Sequence, residues 1–225
     1  MELTGVADYT GTYDATSHGT TVTTNVPEGT TVYYKIPGGE WTTTVPSITD
    51  VGTITVEVKA ENSNYVTKTG SFTLNVEPKA VTVAAIGNTK VYGDADPNLT
   101  ADVTGLLGND TVSYTVTRAT GEDVGNYLIT AAGEVLQGNH AVTYTGANFE
   151  ITRSNGMDLS GVADYTGTYD AQAHGTTVTT NVTDGTTVYY KVPGGEWTTT
   201  VPTITDVGSV TVRVNVENPN YATVT

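Results

Sequence analysis

Cysteine is absent from this 225-residue chain. That excludes a disulfide framework, a thiolate metal site and a cysteine nucleophile. Basic residues are few: 9 Lys plus Arg stand against 24 Asp plus Glu, a formal net charge of -15. Nucleic acid is therefore excluded as a partner, because phosphate neutralisation needs a basic face. Anionic lipid is excluded for the same reason. No stretch of about 18 apolar residues occurs, so no membrane insertion is expected. The opening MELTGVADYT has neither a basic start nor an apolar core, so no signal peptide is expected there. Helix formers are scarce, and no window carries a sustained i, i+3, i+4, i+7 apolar stripe.

What is abundant favours strands. There are 48 Thr, 31 Val and 14 Tyr, whose branched or aromatic side chains pack well on a pleated surface. The fold class is all-β.

An internal repeat organises the chain. Residues 157–225 repeat residues 1–69 at an offset of 156, with 53 of 69 positions identical. VADYTGTYDA begins at Val6 and Val162, TTVYYK at Thr30 and Thr186, and PGGEWTTTVP at Pro37 and Pro193. A period this long fits a two-domain unit better than a solenoid turn. Three modules follow: A (1–77), B (78–155) and C (156–225). They carry 9 acidic against 3 basic residues, 8 against 4, and 7 against 2, so the acidity is spread evenly.

In module A, strands are predicted over 20–26, 31–36, 53–60, 65–69 and 71–76. The stretch 41–48 is extended but interrupted by Pro46. Ile54, Val56, Val58 and Ala60 alternate with polar residues, as do Phe72, Leu74 and Val76, giving one wet and one dry face. In module B the strands are predicted over 80–86, 89–92, 111–117, 126–130, 142–145 and 148–152. Asp123-Val124-Gly125 echoes Asp50-Val51-Gly52, a turn into a core strand, so B should share A's general architecture. Module C stops at Thr225, the counterpart of Thr69, and has nothing to match Phe72, Leu74 and Val76. Either the sequence is part of a longer protein, the favoured reading, or a strand from elsewhere fills the gap by addition to an open edge. Short linkers, with the one at 152–156 reading as looser than that at 76–80, favour an extended row on the order of 100 Å long.

Candidate sites are sparse. Asp94, Asp96 and Asn98 have the spacing that opens a calcium loop, but Pro97 and the missing later ligands break the pattern. No metal and no cofactor is expected. Tyr33 and Tyr34 are adjacent on a strand, so one faces away from the core. Tyr33 with Trp41, and Tyr189 with Trp197, could offer a sugar an aromatic platform; the plainer reading has Tyr34 and Trp41 fill the core or cap its end. His18 and His174 sit beside Asp14 and Asp170 without a third partner. Lys35 and Lys191 raise an internal Lys-to-Asn crosslink, which alternation disfavours because it turns Lys35 to solvent. Three Asn-x-Thr acceptors, at Asn98, Asn109 and Asn181, are expected by chance in a Thr-rich chain.

Module B contains Lys79-Ala80-Val81-Thr82-Val83, then Val91-Tyr92-Gly93-Asp94-Ala95-Asp96-Pro97-Asn98-Leu99-Thr100. Next come Gly105-Leu106-Leu107 and the stretch GEDVGNY (121–127), and Ala147–Thr152 closes the module. It resembles the MBG domain of the YGX type, a repeat of large bacterial surface proteins and adhesins. Modules A and C look like a companion surface repeat with a Tyr-Asp-Gly-x-x-His-Gly opening, here Tyr13–Gly19 and Tyr169–Gly175, with Ala15 and Ala171 where the usual Gly stands. The resemblance implies an extracellular, cell-surface, non-catalytic stalk or spacer and brings no catalytic residues. An immunoglobulin-like sandwich is favoured over a β-grasp-like sheet. The expected partners are neighbouring repeats of the same chain. The alternatives are a module binding host glycan or protein, and a homo-oligomer or filament joined through the open edge of 156–225.

Overall fold

The computed structural model describes every residue, Met1–Thr225. It is built of strands, bridges and turns, and no helix is long and apolar enough to cross a membrane. A β-grasp sheet needs a helix across one face, so the sandwich is the architecture found.

Module A contributes β1 (Leu3–Thr4), β2 (Tyr9–Thr12), β3 (His18–Gly19), β4 (Thr23–Thr24), β5 (Thr30–Lys35), β6 (Ser47–Ile48), β7 (Gly52–Asn62) and β8 (Tyr65–Glu77). Module B contributes β9 (Lys79–Ala85), β10 (Asn88–Val91), β11 (Ala101–Thr104), β12 (Thr115–Arg118), β13 (Gly125–Ala132), β14 (Leu136–Gln137), β15 (His140–Thr145) and β16 (Ala147–Thr152). Module C contributes β17 (Leu159–Ala163), β18 (His174–Gly175), β19 (Thr177–Thr180), β20 (Thr187–Lys191), β21 (Thr203–Ile204) and β22 (Arg213–Glu217).

Two compact units result. The first comprises Met1–Ala85, Ala101–Val116 and Thr130–Gly146; the second comprises Ile86–Thr100, Thr117–Ile129 and Ala147–Thr225. The division passes through module B.

In the first unit, the four-stranded sheet β2-β8-β7-β5 is the frame of module A. Period-two alternation along β7 and β8 puts Val56, Val58, Ala60, Phe72, Leu74 and Val76 on one face, all buried. Each large apolar side chain withdrawn from water contributes about 1.5–3 kcal/mol. The short ribbons β1-β4 and β3-β6 carry Leu3, Val6, Val22 and Ile48 onto that face. Tyr34 crosses the core: its hydroxyl accepts from the Val22 amide at 3.0 Å. β2 runs parallel to β8, from Tyr9 opposite Leu74 to Thr12 opposite Glu77. The same unit holds the sheet β11-β9-β15-β14, whose core is Val81, Val83, Ala131 and Val142.

In the second unit, the sheet β10-β16-β13-β12 repeats the spatial arrangement of β2-β8-β7-β5, although β14 and β15 intervene between β13 and β16. β10 lies parallel to β16 as β2 does to β8, and β13 starts at Gly125 as β7 starts at Gly52. The echo between the two Asp-Val-Gly strings thus marks equivalent strands. Module C follows with only two-stranded sheets, β17-β19, β18-β21 and β20-β22.

Several expectations need correction. Residues 65–77 form one strand of 13 residues, not two, because Gly70 is fully paired opposite Val58. The stretch 20–26 holds only β4, and 41–48 only β6 and a bridge from Thr42 to Tyr34. β2 and β11 were not expected: both are short edge strands with little apolar alternation. The 152–156 linker is not loose, since Ser154 exchanges backbone hydrogen bonds with Asn220 and Ala222, and Met157 is buried.

Candidate functional site

The sites with the most defined geometry are the two joints between consecutive modules, and they are built alike. At the A–B joint, inside the first unit, the Val51 amide donates to Asn139 Oδ1 at 2.8 Å, and Asn139 Nδ2 donates to Asp50 Oδ1 at 2.9 Å. The Asn139 carbonyl accepts from the Lys79 amide at 2.9 Å. Tyr13 meets the buried His140 edge to face, ring centroids 5.7 Å apart.

At the B–C joint, inside the second unit, the Val124 amide donates to Asn220 Oδ1 at 2.8 Å, and Asn220 Nδ2 donates to Asp123 Oδ1 at 2.8 Å. The Asn220 carbonyl accepts from the Ser154 amide at 3.0 Å. Tyr92 meets Tyr221 edge to face at 5.3 Å. In each joint one Asn side chain uses both its acceptor and its donor on an Asp-Val-Gly turn, and the ring of the next residue packs on a Tyr. The Asn residues escaped sequence reasoning because each partner lies 88 or more positions away. The available signal was an Asn followed by a ring at 64–65, 139–140 and 220–221.

The aromatic candidates are placed differently in the two copies. Tyr34 is in the core, but Trp41 is not: it is 36% exposed, because Thr42 alone is tied to the sheet at that point. Lys59 Nζ sits 4.9 Å from the ring centres of both Tyr33 and Trp41 and bonds Glu61 at 2.8 Å. A cation already occupies that pair. In module C, Asn215 stands at the position of Lys59 and Trp197 is 43% exposed. Lys191 lies 5.9 Å from the Trp197 ring. Tyr189 lines a cleft of about 440 Å³ with Arg153, Thr187, Glu217, Asn218 and Thr223.

Asp94, Asp96 and Asn98 do not share a task. Asp96 accepts from Arg118 Nε at 2.6 Å and from Lys90 Nζ at 2.7 Å; Glu122 pairs with the same two cations. Lys90 is buried, so this ring of four charges compensates a desolvated ammonium. The Arg118 and Lys90 hydrogen bonds hold the Asp96 carboxyl down at about 2. They lower Glu122 too, Lys90 acting first, and the carboxylates in turn raise Lys90. Cations thus engage both Asp96 oxygens. No three His, Asp or Glu side chains converge as a metal-holding group.

His18 Nε2 lies 2.9 Å from Asp14 Oδ1 and 3.0 Å from Thr16 Oγ1. Both contacts use the same ring nitrogen, so Asp14 does not orient the ring for proton transfer from Thr16 as a triad requires. The ring stacks on Tyr9 at 4.5 Å, and His174 stacks on Tyr165 at 3.9 Å. Asp14, held at about 2 chiefly by the Thr16 hydroxyl and then by His18, closes a tight turn. Ala15 (φ 62°) and Ala171 (φ 59°) occupy the left-handed region there, a conformation that favours Gly.

Residues 81–150 match the MBG domain (YGX type) family model. No curated protein matches the chain. Among solved structures, three immunoglobulin domains of titin, in a Glu-to-Ala variant, are similar at a TM-score of 0.35 and 9% identity, over 97% of this chain and 92% of that one. The human desmocollin-1 ectodomain gives 0.31 and 13%, over 97% and 58%. Cadherin domains 3–6 of protocadherin gamma B2 give 0.32 and 8%, over 85% and 58%. Likeness at this level carries no functional argument. The MBG match and the helix-free fold fit a surface- or adhesion-type β domain.

Proposed function

We propose that the chain is a run of non-catalytic spacer repeats from a large bacterial cell-surface adhesin, displayed outside the cell. Three modules, A, B and C, are joined in series to carry a distal part away from the surface. The observation that supports this best is the pair of matching joints, which give consecutive modules a fixed attachment without disulfides or metal. The absence of Cys suits an oxidising exterior, and a charge of -15 keeps neighbouring stalks apart. Small-angle X-ray scattering tests the reading. A row on the order of 100 Å long gives a radius of gyration of about 30 Å, whereas a globular chain of this length gives about 17 Å. A value near the lower figure would end the spacer reading.

A second reading is a host glycan- or protein-binding module. It is favoured by the exposed Trp197 and by the separate cleft lined by Tyr189, in a module that carries Asn215 where module A has the lysine that fills its aromatic pair. Reproducible glycan-array binding, lost in Trp197→Ala, would establish it; a blank array removes it. The third reading, a filament built by strand addition, draws on the unpaired 208–212 segment of module C and predicts concentration-dependent fibres in electron micrographs.

A further inference from the structure

The joint geometry has a third set of residues that is not in use. At the 156 offset, Tyr13 corresponds to Tyr169 and Asp50-Val51-Gly52 to Asp206-Val207-Gly208. Tyr13 is 8% exposed against His140, whereas Tyr169 is 64% exposed. Val51 and Val124 each give their amide to an Asn side chain, whereas Val207 is 89% exposed and its amide has no partner. The complementary half is also free in module A. Asn64 and Tyr65 correspond to Asn220 and Tyr221, yet the Asn64 side chain makes no hydrogen bond and Tyr65 is exposed.

We infer that Tyr169 with Asp206-Val207-Gly208 is a docking site for the Asn-bearing turn of a further module of the 78–152 type, following module C in the same array. The inference rests on reading the modules as units of an array and adds how they couple. The occupant is set by precedent: the equivalent half in module A, identical at Tyr, Asp, Val and Gly, already holds the Asn139–His140 turn of such a module. The clasp also works in the B–C joint, where module types are exchanged and the second ring is Tyr221 in place of His140. Recognition therefore lies in one carboxamide that accepts from a backbone amide and donates to a carboxylate. Asn alone has that reach and polarity; Asp would lose the donor and face Asp206 with a like charge.

The test is residue-resolved amide exchange on the chain extended after Thr225 by a second copy of residues 70–152, which keeps the repeat register. The Val207 amide should slow by roughly tenfold or more, towards the rates of Val51 and Val124. Asn139→Ala in the appended copy alone should return Val207 to its fast rate while amides of 209–213, paired by the restored closing strand, stay slow. Equal protection of Val207 with and without the Asn would overturn the inference, as would fast exchange in the unmutated extension. Asn220→Ala in the original chain is a second measurement needing no extension: it should release the Val124 amide, and an unchanged Val124 rate would also overturn it. None of these outcomes depends on the overall dimensions that test the spacer reading.

Discussion

Modules A and C share 53 of 69 aligned residues, yet they do not reach the same degree of order. In A, β7 runs 11 residues and β2 forms an edge; in C the matching strand shrinks to Arg213–Glu217 and residues 165–168 are not a strand at all. The difference traces to β8. Its Leu74–Glu77 stretch pairs with β2 on one side, and Leu74–Val76 pairs with β7 on the other; the sequence ends before the counterparts of those residues in module C. Freed from β8, the start of module C pairs further along its own ribbon: β17 reaches Ala163 opposite Thr177, while β1 stops at Thr4. In A the same region is held elsewhere, with Asp8 accepting from the Thr73 amide at 2.7 Å. Local sequence therefore supplies strand propensity, and a long-range partner decides whether the strand forms.

The largest expected effect comes from removing the inner contacts of β8. Leu74→Ala should cost about 2–5 kcal/mol, measured by denaturant unfolding of the first unit, and should make exchange in β7 resemble that in 208–218. A smaller contrast lies in the cross-core tyrosines. The Tyr34 hydroxyl is bonded to the Val22 amide, whereas the Tyr190 hydroxyl has no partner. Tyr34→Phe should cost about 1 kcal/mol and Tyr190→Phe close to nothing; equal costs would show that the two cores are equivalent.

The left-handed alanines sharpen the comparison from the opposite direction. Ala15→Gly and Ala171→Gly should each stabilise by up to about 1 kcal/mol, since a non-glycine residue is strained there. Melting temperatures of the two variants would check this, and a drop in either would contradict it.

The smallest effect is in acid. Asp14 and Asp96 have folded-state values near 2, below their unfolded values. Their contribution is complete above about pH 4 and is lost as pH falls towards 2. Asp170 is also lowered, chiefly by His174, but Gln172 replaces the Thr16 hydroxyl. Thr16→Ala should therefore raise the Asp14 midpoint in a carboxyl-detected NMR titration, and an unchanged midpoint would contradict the role of the Thr16 hydroxyl.

Much of the frame was legible. The alternation along 53–60 and 71–76 predicted both the strands and the buried faces, because one wet face leaves a clear period-two signature. The edge strand Tyr9–Thr12 was not, since its pairing depends on residues more than 60 positions away. Trp41 could be core, core cap or exposed platform from sequence alone, because only the fold brings Lys59 under its ring at the surface. Asp96 carried calcium-like spacing, and only the fold reveals that Lys90 and Arg118 meet it. The Asp-Val-Gly echo was visible as a turn, but its clasp needs an Asn from the next module, which no local window contains.

Residue-resolved hydrogen exchange on the unmodified chain addresses the role of β8 most directly, because modules A and C serve as each other's control in one molecule. Amides of Thr53–Ala60 should exchange at least a hundredfold more slowly than those of 209–212, roughly the protection of a core ladder over an open one. Matching rates in the two stretches would mean that the shared sequence orders them without the closing strand, and the comparison would fail.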